Sequence, residues 1–259
     1  MNLPDLTSLL PEIVRLSHRA GDEIMRIYGG DFSVRAKADA SPVTDADEAS
    51  EAIILPRLRE LTPDIAIASE EALGPNGSRD WKAPATFWLV DPLDGTREFT
   101  SRNGEFSVNI ALVSDRRPVL GVVHAPAVGV TWWGAGSGTA MMQHAGKSPA
   151  AIRARRPPPA GIVALESRSH GDRAAIDAFF AEHNVAARRQ SGSALKFGIL
   201  AQGEADLYPR FGPTMEWDTA AGHAVLEAAG GHIETLSGGP LLYGKPGLRN
   251  PDFIARGAR

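Results

Sequence analysis

Apolar residues recur at helical spacing from the start of the chain, at Leu6, Leu9, Leu10, Ile13, Leu16, Ala20, Ile24 and Ile27, with Asp5, Glu12, Asp22 and Glu23 between them. A repeat of about 3.6 residues lines such side chains along one stripe, so the first thirty residues are expected to form a helix docked on a core, not a secretory leader. Gly29-Gly30 ends it. A short strand over 32–35, a polar loop from Lys37 to Pro42 and a second helix from about Thr44 to Leu61 should follow. Pro56 predicts a kink or early break in that helix, because proline lacks an amide donor and crowds the preceding turn.

The period then shortens. Residues 65–68 and 86–90 are compact apolar runs read as buried strands, and each ends on carboxylates, Glu70-Glu71 after Ser69 and Asp91 after Val90. Strands over 107–113, 119–124 and 130–133, with turn residues at 115–118, predict an antiparallel meander. Between Gly146 and Ala160 the chain carries Pro149 and the run Arg155-Arg156-Pro157-Pro158-Pro159, which suits neither a helix nor a sheet interior. The chain is therefore divided into an N-terminal α+β domain, 1–150, and a C-terminal α/β domain, 151–259, with Arg155 and Arg156 read as solvated linker. Beyond that boundary strands (162–165, 185–189, 205–208, 232–234) alternate with helices (172–183, 194–201, 218–229), the pattern of an α/β domain.

Composition narrows the function. With 259 residues, 43% of them hydrophobic, the chain can bury a substantial core. The net charge of −4 comes from 31 acids and 27 bases spread along the sequence, so no basic stripe invites polymeric nucleic acid. The absence of cysteine removes disulfides, thiolate catalysis and cysteine-held zinc. No apolar run approaches the roughly 20 residues of a membrane span. A cytoplasmic protein, at most peripheral to the inner membrane, is expected.

The chemistry concentrates in Trp88-Leu89-Val90-Asp91-Pro92-Leu93-Asp94-Gly95-Thr96. Two carboxylates three residues apart, after an apolar strand and across a turn built by Pro92 and Gly95, can be aimed at one point. Hard cations such as Mg²⁺ take carboxylate and carbonyl oxygens and keep waters that a phosphate can displace. Alone, the same residues read more readily as a solvated turn, since Asp, Pro and Gly are the residues that turns favour. Glu70-Glu71 after another buried strand and Asp218 opening a late helix are further acids at element ends, where all could converge.

These segments resemble the signatures of the inositol monophosphatase superfamily of metal-dependent, lithium-sensitive phosphatases. They are an acidic pair after a strand (Glu70-Glu71), Asp-Pro-x-Asp-Gly-Thr (Asp91 to Thr96) and Trp-Asp-x-Ala-Ala-Gly (Trp217 to Gly222). The resemblance implies a layered αβαβα sandwich of the inositol monophosphatase/fructose-1,6-bisphosphatase type, with the active site where the two halves meet. It implies that Glu70, Asp91 and the Leu93 carbonyl hold one Mg²⁺, that Asp91, Asp94 and Asp218 hold a second, and that Asp47 helps position a third or its water. From its sequence context, Thr44-x-x-Asp47 reads equally well as a capping-box variant.

Two cations on one phosphate can activate water and neutralise the leaving oxygen, so direct in-line hydrolysis without a covalent nucleophile is expected. Thr96 would orient the water with Asp47 or Glu70, and the amides of Gly95 and Thr96 would bind phosphate if they open a helix; Thr96 could also be a simple N-cap. No Gly-x-Ser-x-Gly elbow offers a serine hydrolase, and 134–138 lacks the lysine of a nucleotide loop. A calcium sensor is disfavoured because no EF-hand spacing is present.

Within the superfamily the chain looks most like the bacterial 3'(2'),5'-bisphosphate nucleotidases, which remove the 3'-phosphate of adenosine 3',5'-bisphosphate. That likeness rests on Lys37-Ala38-Asp39, Ser41 to Thr44, Asp94 to Phe99, Arg102 to Ala111 and Tyr208 to Thr214. A bisphosphate needs a second anion site, for which Ser167-Arg168-Ser169-His170, the run from Gly192 to Lys196 (Ser193 and Lys196 above all) and Arg210 are the candidates; for Lys196 and Arg210 a surface ion pair is the competing role. Glu216 is given no catalytic part. Inositol phosphates, histidinol phosphate and fructose 1,6-bisphosphate remain alternative substrates for the same acids.

Overall fold

The computed structural model describes residues 3–36, 42–168 and 171–259. Helix α1 (Leu6–Tyr28) starts at Asp5, whose carboxylate accepts the Thr7 amide, and buries Leu9, Ile13, Leu16, Ala20 and Ile24 along the expected stripe. A two-stranded antiparallel ribbon follows, β1 (Val34–Ala36) with β2 (Pro42–Thr44). Of the polar loop from Lys37 to Pro42 all but Pro42 lies outside the described residues, as do Ser169 and His170. Helix α2 (Asp45–Leu61) runs through Pro56 without the expected break. Pro56 is on the exposed face, and so is Ala52, whose carbonyl loses its amide partner there and can turn to water.

Next come β3 (Ala66–Ser69), α3 (Glu70–Asp80), β4 (Thr86–Asp94), the short α4 (Thr96–Thr100), β5 (Ser107–Ser114), β6 (Arg117–Ala125), β7 (Val130–Gly134), β8 (Met141–His144) and β9 (Ala150–Ala151). Helix α3 was not expected from its Gly- and Pro-rich sequence, and its backbone leaves helical geometry at Gly74. Strands β3 to β9 form one sheet in chain order, β3 parallel to β4 and every later pair antiparallel. The meander is thus longer than its sequence pattern suggested.

The second sheet contains β10 (Ile162–Ser167), β11 (Val185–Ser191), β12 (Leu207–Arg210), β13 (His232–Thr235) and β14 (Phe253–Arg256), in the order β11-β10-β12-β14-β13. Helices α5 (Arg173–Ala181), α6 (Leu195–Ala201) and α7 (Ala220–Ala228) connect them. Strand β14, absent from the sequence reading, runs antiparallel to β12 and β13, which makes this sheet mixed. Arg155 is no solvated linker: its guanidinium grips the buried Asp206 carboxylate at 2.7 and 2.8 Å.

Burial with period two shows the layering. On β4, Trp88 and Val90 face α1 and α2, whereas Phe87 and Leu89 face the opposite way into a core built with α6 and α7. On β10, Leu165 joins that same central core while Ala164 turns outward to Ile176 and Phe180 of α5. The order is helices, sheet, helices, sheet, helix, the expected αβαβα sandwich. The central layer is close-packed: a Cβ on Gly121 would stand 2.3 Å from the Ala221 carbonyl oxygen, and one on Gly222 2.3 Å from the Phe197 ring. The core around α6 and α7 takes residues from both sides of position 150. No helix among the described residues is long and apolar enough to cross a membrane.

Candidate active site

A register shift at the end of β4 builds the centre of the site. Asp91 pairs with Asn109 and Asp94 with Ser107, so two residues, Pro92 and Leu93, oppose the single Val108. Residues three apart on a regular strand point to opposite faces; one inserted residue restores the phase and turns both carboxylates the same way. The bulge is pinned by Ser50 Oγ, which donates to the Pro92 carbonyl at 2.7 Å, and by the Leu93 amide, which donates to Asp91 Oδ1 at 3.1 Å.

Glu70 opens α3 beside Asp91 because β3 is parallel to β4 and its last residue, Ser69, pairs with Val90. Asp218 arrives from the far side, just ahead of α7, with its Oδ2 accepting the Met215 amide at 2.8 Å. Glu70, Asp91 and Asp218 each bring an oxygen to within 4.8 Å of the others. Burial, with the like charges of Asp94 and Glu70, raises the Asp218 pKa well above the carboxylate range. Burial also raises Asp94, against the opposing pull of the Ser193 hydroxyl and Lys196. Acids confined so closely, all offering oxygen, fit a hard divalent cation, whose charge would offset their repulsion.

Asp94 adjoins this trio, its Oδ2 accepting from Ser193 Oγ at 2.7 Å and Asn109 Nδ2 at 3.3 Å. Asp47 combines its two expected roles. Its Oδ2 accepts from the amide and hydroxyl of Thr44 at 2.8 and 2.7 Å, closing the capping box, while Oδ1 accepts from Thr96 Oγ1 at 3.3 Å. Thr96 is not an N-cap. That position belongs to Gly95, whose φ of 90° suits glycine, and Thr96 is the first residue of α4.

Lys196 and Arg210 are buried, and among the described residues neither makes the surface ion pair weighed for it. Lys196 is 3% exposed; its Nζ donates to the carbonyls of Ser191 and Ser193 at 3.0 and 2.6 Å and lies over the Tyr208 ring. Arg210 donates to Ser167 Oγ and to the Pro213 carbonyl, both at 2.9 Å, while its Nε has no partner among the described residues. Arg168 is the residue in an ion pair, with Glu105 at 2.8 Å. Glu216 is structural: it accepts the amides of Gly244 and Lys245 and pairs with Lys245 Nζ.

Two adjoining hollows join these groups. One of about 260 Å³ is lined by Glu70, Asp91, Asp94, Thr96, Arg168 and Asp218 among others, and one of about 160 Å³ by Ser167, Tyr208, Arg210 and Phe253 among others. Asp94, Ser167, Ser193, Lys196 and Asp218 line both. A larger hollow of about 530 Å³ between α1 and β7–β8 is mostly apolar and holds none of these acids. Sequence reading gave no role to Asn109, Ser107, Glu98 or Glu105. A signal existed for two of them: Ser107 and Asn109 interrupt an apolar strand at alternate positions, which places two polar side chains on one buried face.

Residues 5–255 match the inositol monophosphatase family. The 3'(2'),5'-bisphosphate nucleotidase CysQ of Escherichia coli is 45% identical over 249 residues, which cover 95% of this chain and 98% of that enzyme. CysQ of Salmonella typhimurium is 44% identical over 251 residues, with the same coverage of each. The crystal structure of CysQ from Bacteroides thetaiotaomicron, a bacterial member of the inositol monophosphatase family, matches with a TM-score of 0.82 at 34% identity, over 97% of this chain and 98% of that one.

Proposed function

The chain belongs to the inositol monophosphatase family, and on that premise we propose that it is a Mg²⁺-dependent 3'(2'),5'-bisphosphate nucleotidase. It hydrolyses the 3'-phosphate of adenosine 3',5'-bisphosphate to give AMP and phosphate. The observation that carries the substrate is the continuity of an acidic lobe, where Glu70, Asp91 and Asp218 converge, with a buried cationic lobe containing Lys196 and Arg210. A monophosphate has no use for the second lobe; a bisphosphate fills both.

In this reading Glu70, Asp91, Asp94, Asp218 and the Leu93 carbonyl would hold two Mg²⁺ ions, and Asp47 would steady a third or its water. Bound Mg²⁺ supplies Lewis-acid stabilisation of the phosphate and lowers the pKa of water. The protein does the positioning. Thr96, held by Asp47, orients the attacking water on the side of phosphorus away from the ribose. The amides of Gly95 and Thr96, at the start of α4, receive phosphate oxygens. The water oxygen bonds to phosphorus as the bond to O3' breaks, and the departing ribose oxygen ends protonated. Lys196 and Arg210, with Ser167, Arg168 and Ser193, take the 5'-phosphate through charge-assisted hydrogen bonds. The substrate is a cytoplasmic nucleotide in this reading, and the enzyme works there.

Phosphate release from adenosine 3',5'-bisphosphate, inositol 1-phosphate, histidinol phosphate and fructose 1,6-bisphosphate, each with Mg²⁺ and with chelator, tests substrate and metal together. The adenosine bisphosphate should dominate in kcat/KM by orders of magnitude, and chelator should abolish turnover. If another ester wins, the substrate assignment fails and the acidic lobe keeps its chemistry.

A further inference from the structure

Glu105, in the loop between α4 and β5, is the hub of a contact between the two halves of the site. Its Oε2 accepts the Gly192 amide and Arg168 Nε, both at 2.8 Å, and its Oε1 accepts Arg168 Nη2 at 2.9 Å. The backbones meet as closely as the side chains. A Cβ on Gly192 would lie 2.8 Å from the Glu105 carbonyl oxygen and 2.8 Å from Glu98 Cγ, and one on Gly95 3.1 Å from that same oxygen. The loop after β11 is therefore laid directly on the loops that follow β4 and α4.

What that loop carries is decisive. Ser193 follows Gly192 with φ of 51°, a left-handed conformation that non-glycine residues adopt only when neighbours enforce it. Its hydroxyl donates to Asp94 Oδ2, and its carbonyl accepts Lys196 Nζ. One strained residue thus touches an acid of one lobe and the cation of the other.

We propose that Glu105 is the positioning residue of this loop: through the Gly192 amide it fixes Ser193, and through Ser193 it orients Asp94 and Lys196 together. The inference rests on the reading of Asp94 as a Mg²⁺ ligand. The plain alternative is a stabilising ion pair with Arg168, but Arg168 is 40% exposed and such pairs contribute little. Groups that hydrogen-bond a metal ligand, by contrast, commonly change metal affinity or activity by about 10- to 100-fold when removed.

The test uses the full chain with Glu105→Ala, Glu105→Gln, Arg168→Ala and Ser193→Ala, following thermal midpoint, calorimetric Mg²⁺ affinity, and kcat and KM for adenosine 3',5'-bisphosphate. Glu105→Ala should weaken Mg²⁺ binding by about tenfold, lower kcat and raise KM. Glu105→Gln, which keeps an oxygen for the Gly192 amide, should recover most of the Mg²⁺ affinity, and Arg168→Ala should leave that affinity parental. Combining Glu105→Ala with Ser193→Ala should weaken Mg²⁺ no further than Ser193→Ala alone, because both cut one chain of contacts. The proposal is overturned if Glu105→Ala lowers only the thermal midpoint, if Arg168→Ala weakens Mg²⁺ equally, or if the double variant is additive. A parental protein that binds Mg²⁺ but ignores the bisphosphate sinks the substrate assignment while the calorimetry still decides Glu105. One that binds no Mg²⁺ sinks both.

Discussion

Asp91 and Asp94 face the same way although three residues separate them, because Asp91 stands opposite Asn109 and Asp94 opposite Ser107 with only Val108 between. The bulge converts a sequence spacing that would split two carboxylates across a sheet into one that joins them. Asn109 sits on that shared face and donates to Asp94.

Asp94→Asn should therefore damage the chemistry and spare the fold. The amide keeps the carboxylate's shape and can still accept from Ser193, but it contributes no charge. Because burial already disfavours the ionised form of Asp94, the metal-free variant should melt at or above the parental temperature. Turnover at fixed Mg²⁺ should fall by about two orders of magnitude, the equivalent of a few kcal/mol of lost charge stabilisation. Parental activity at saturating Mg²⁺ would show that Asp94 is no ligand.

Lys196→Met should alter choice of substrate. A charge-assisted hydrogen bond contributes about 1.5 to 3 kcal/mol, so kcat/KM for adenosine 3',5'-bisphosphate should drop roughly 10- to 100-fold. Adenosine 3'-monophosphate, with nothing in the cationic lobe, should lose much less. Equal losses on both substrates would place Lys196 in support of the loop rather than in recognition.

The acidic centre was legible in the sequence because its residues stand at ends of strongly patterned elements: Glu70 after β3, Asp91 and Asp94 at the end of β4, and Asp218 ahead of α7. The layering was legible only through family resemblance, since alternating apolar residues reveal a strand but not which helix covers it. Three features escaped for identifiable reasons. Strand β14 is four residues long and is held by pairing with β12 and β13, which are far away in sequence. Pro56 reads as a breaker unless one knows that its side of α2 faces water. Glu105 and Arg168, 63 residues apart, carry no mutual signal in a single sequence.

Acid should expose a buried histidine. His124 packs on Gly21, where a Cβ would stand 2.5 Å from its ring, and its Nδ1 lies 2.9 Å from Thr131 Oγ1. Burial, reinforced by the neighbouring His18, brings its pKa down to about 3. The unfolded chain takes up that proton near pH 6.5, so the associated stability is complete above about 6.5 and is lost as pH falls toward about 3. By pH 5 the loss should reach about 2 kcal/mol. His124→Gln, which cannot titrate, should show a smaller fall in thermal midpoint between pH 7 and pH 5 than the parent; parallel curves would mean His124 titrates normally.

Arg155 offers a test of stability apart from catalysis. Its guanidinium forks onto both oxygens of Asp206, whose side chain has no exposure and otherwise accepts only the Val163 amide among the described residues. Removing one partner of a buried pair costs about 3 to 5 kcal/mol, reduced here to about 2 or 3 because Arg155 itself reaches water. Val163 is the second residue of β10 and Ser167 the last, so the pair lies about 13 Å along the strand from the site. Arg155→Ala should accordingly shift the urea midpoint downward while kcat stays parental. Arg155→Lys should fall between, since an ammonium keeps the charge without the fork. Adding Asp206→Ala to Arg155→Ala should return part of the stability, because the stranded carboxylate accounts for much of the cost; a double variant no more stable than Arg155→Ala would mean that lost packing, and not an unpaired charge, sets the penalty.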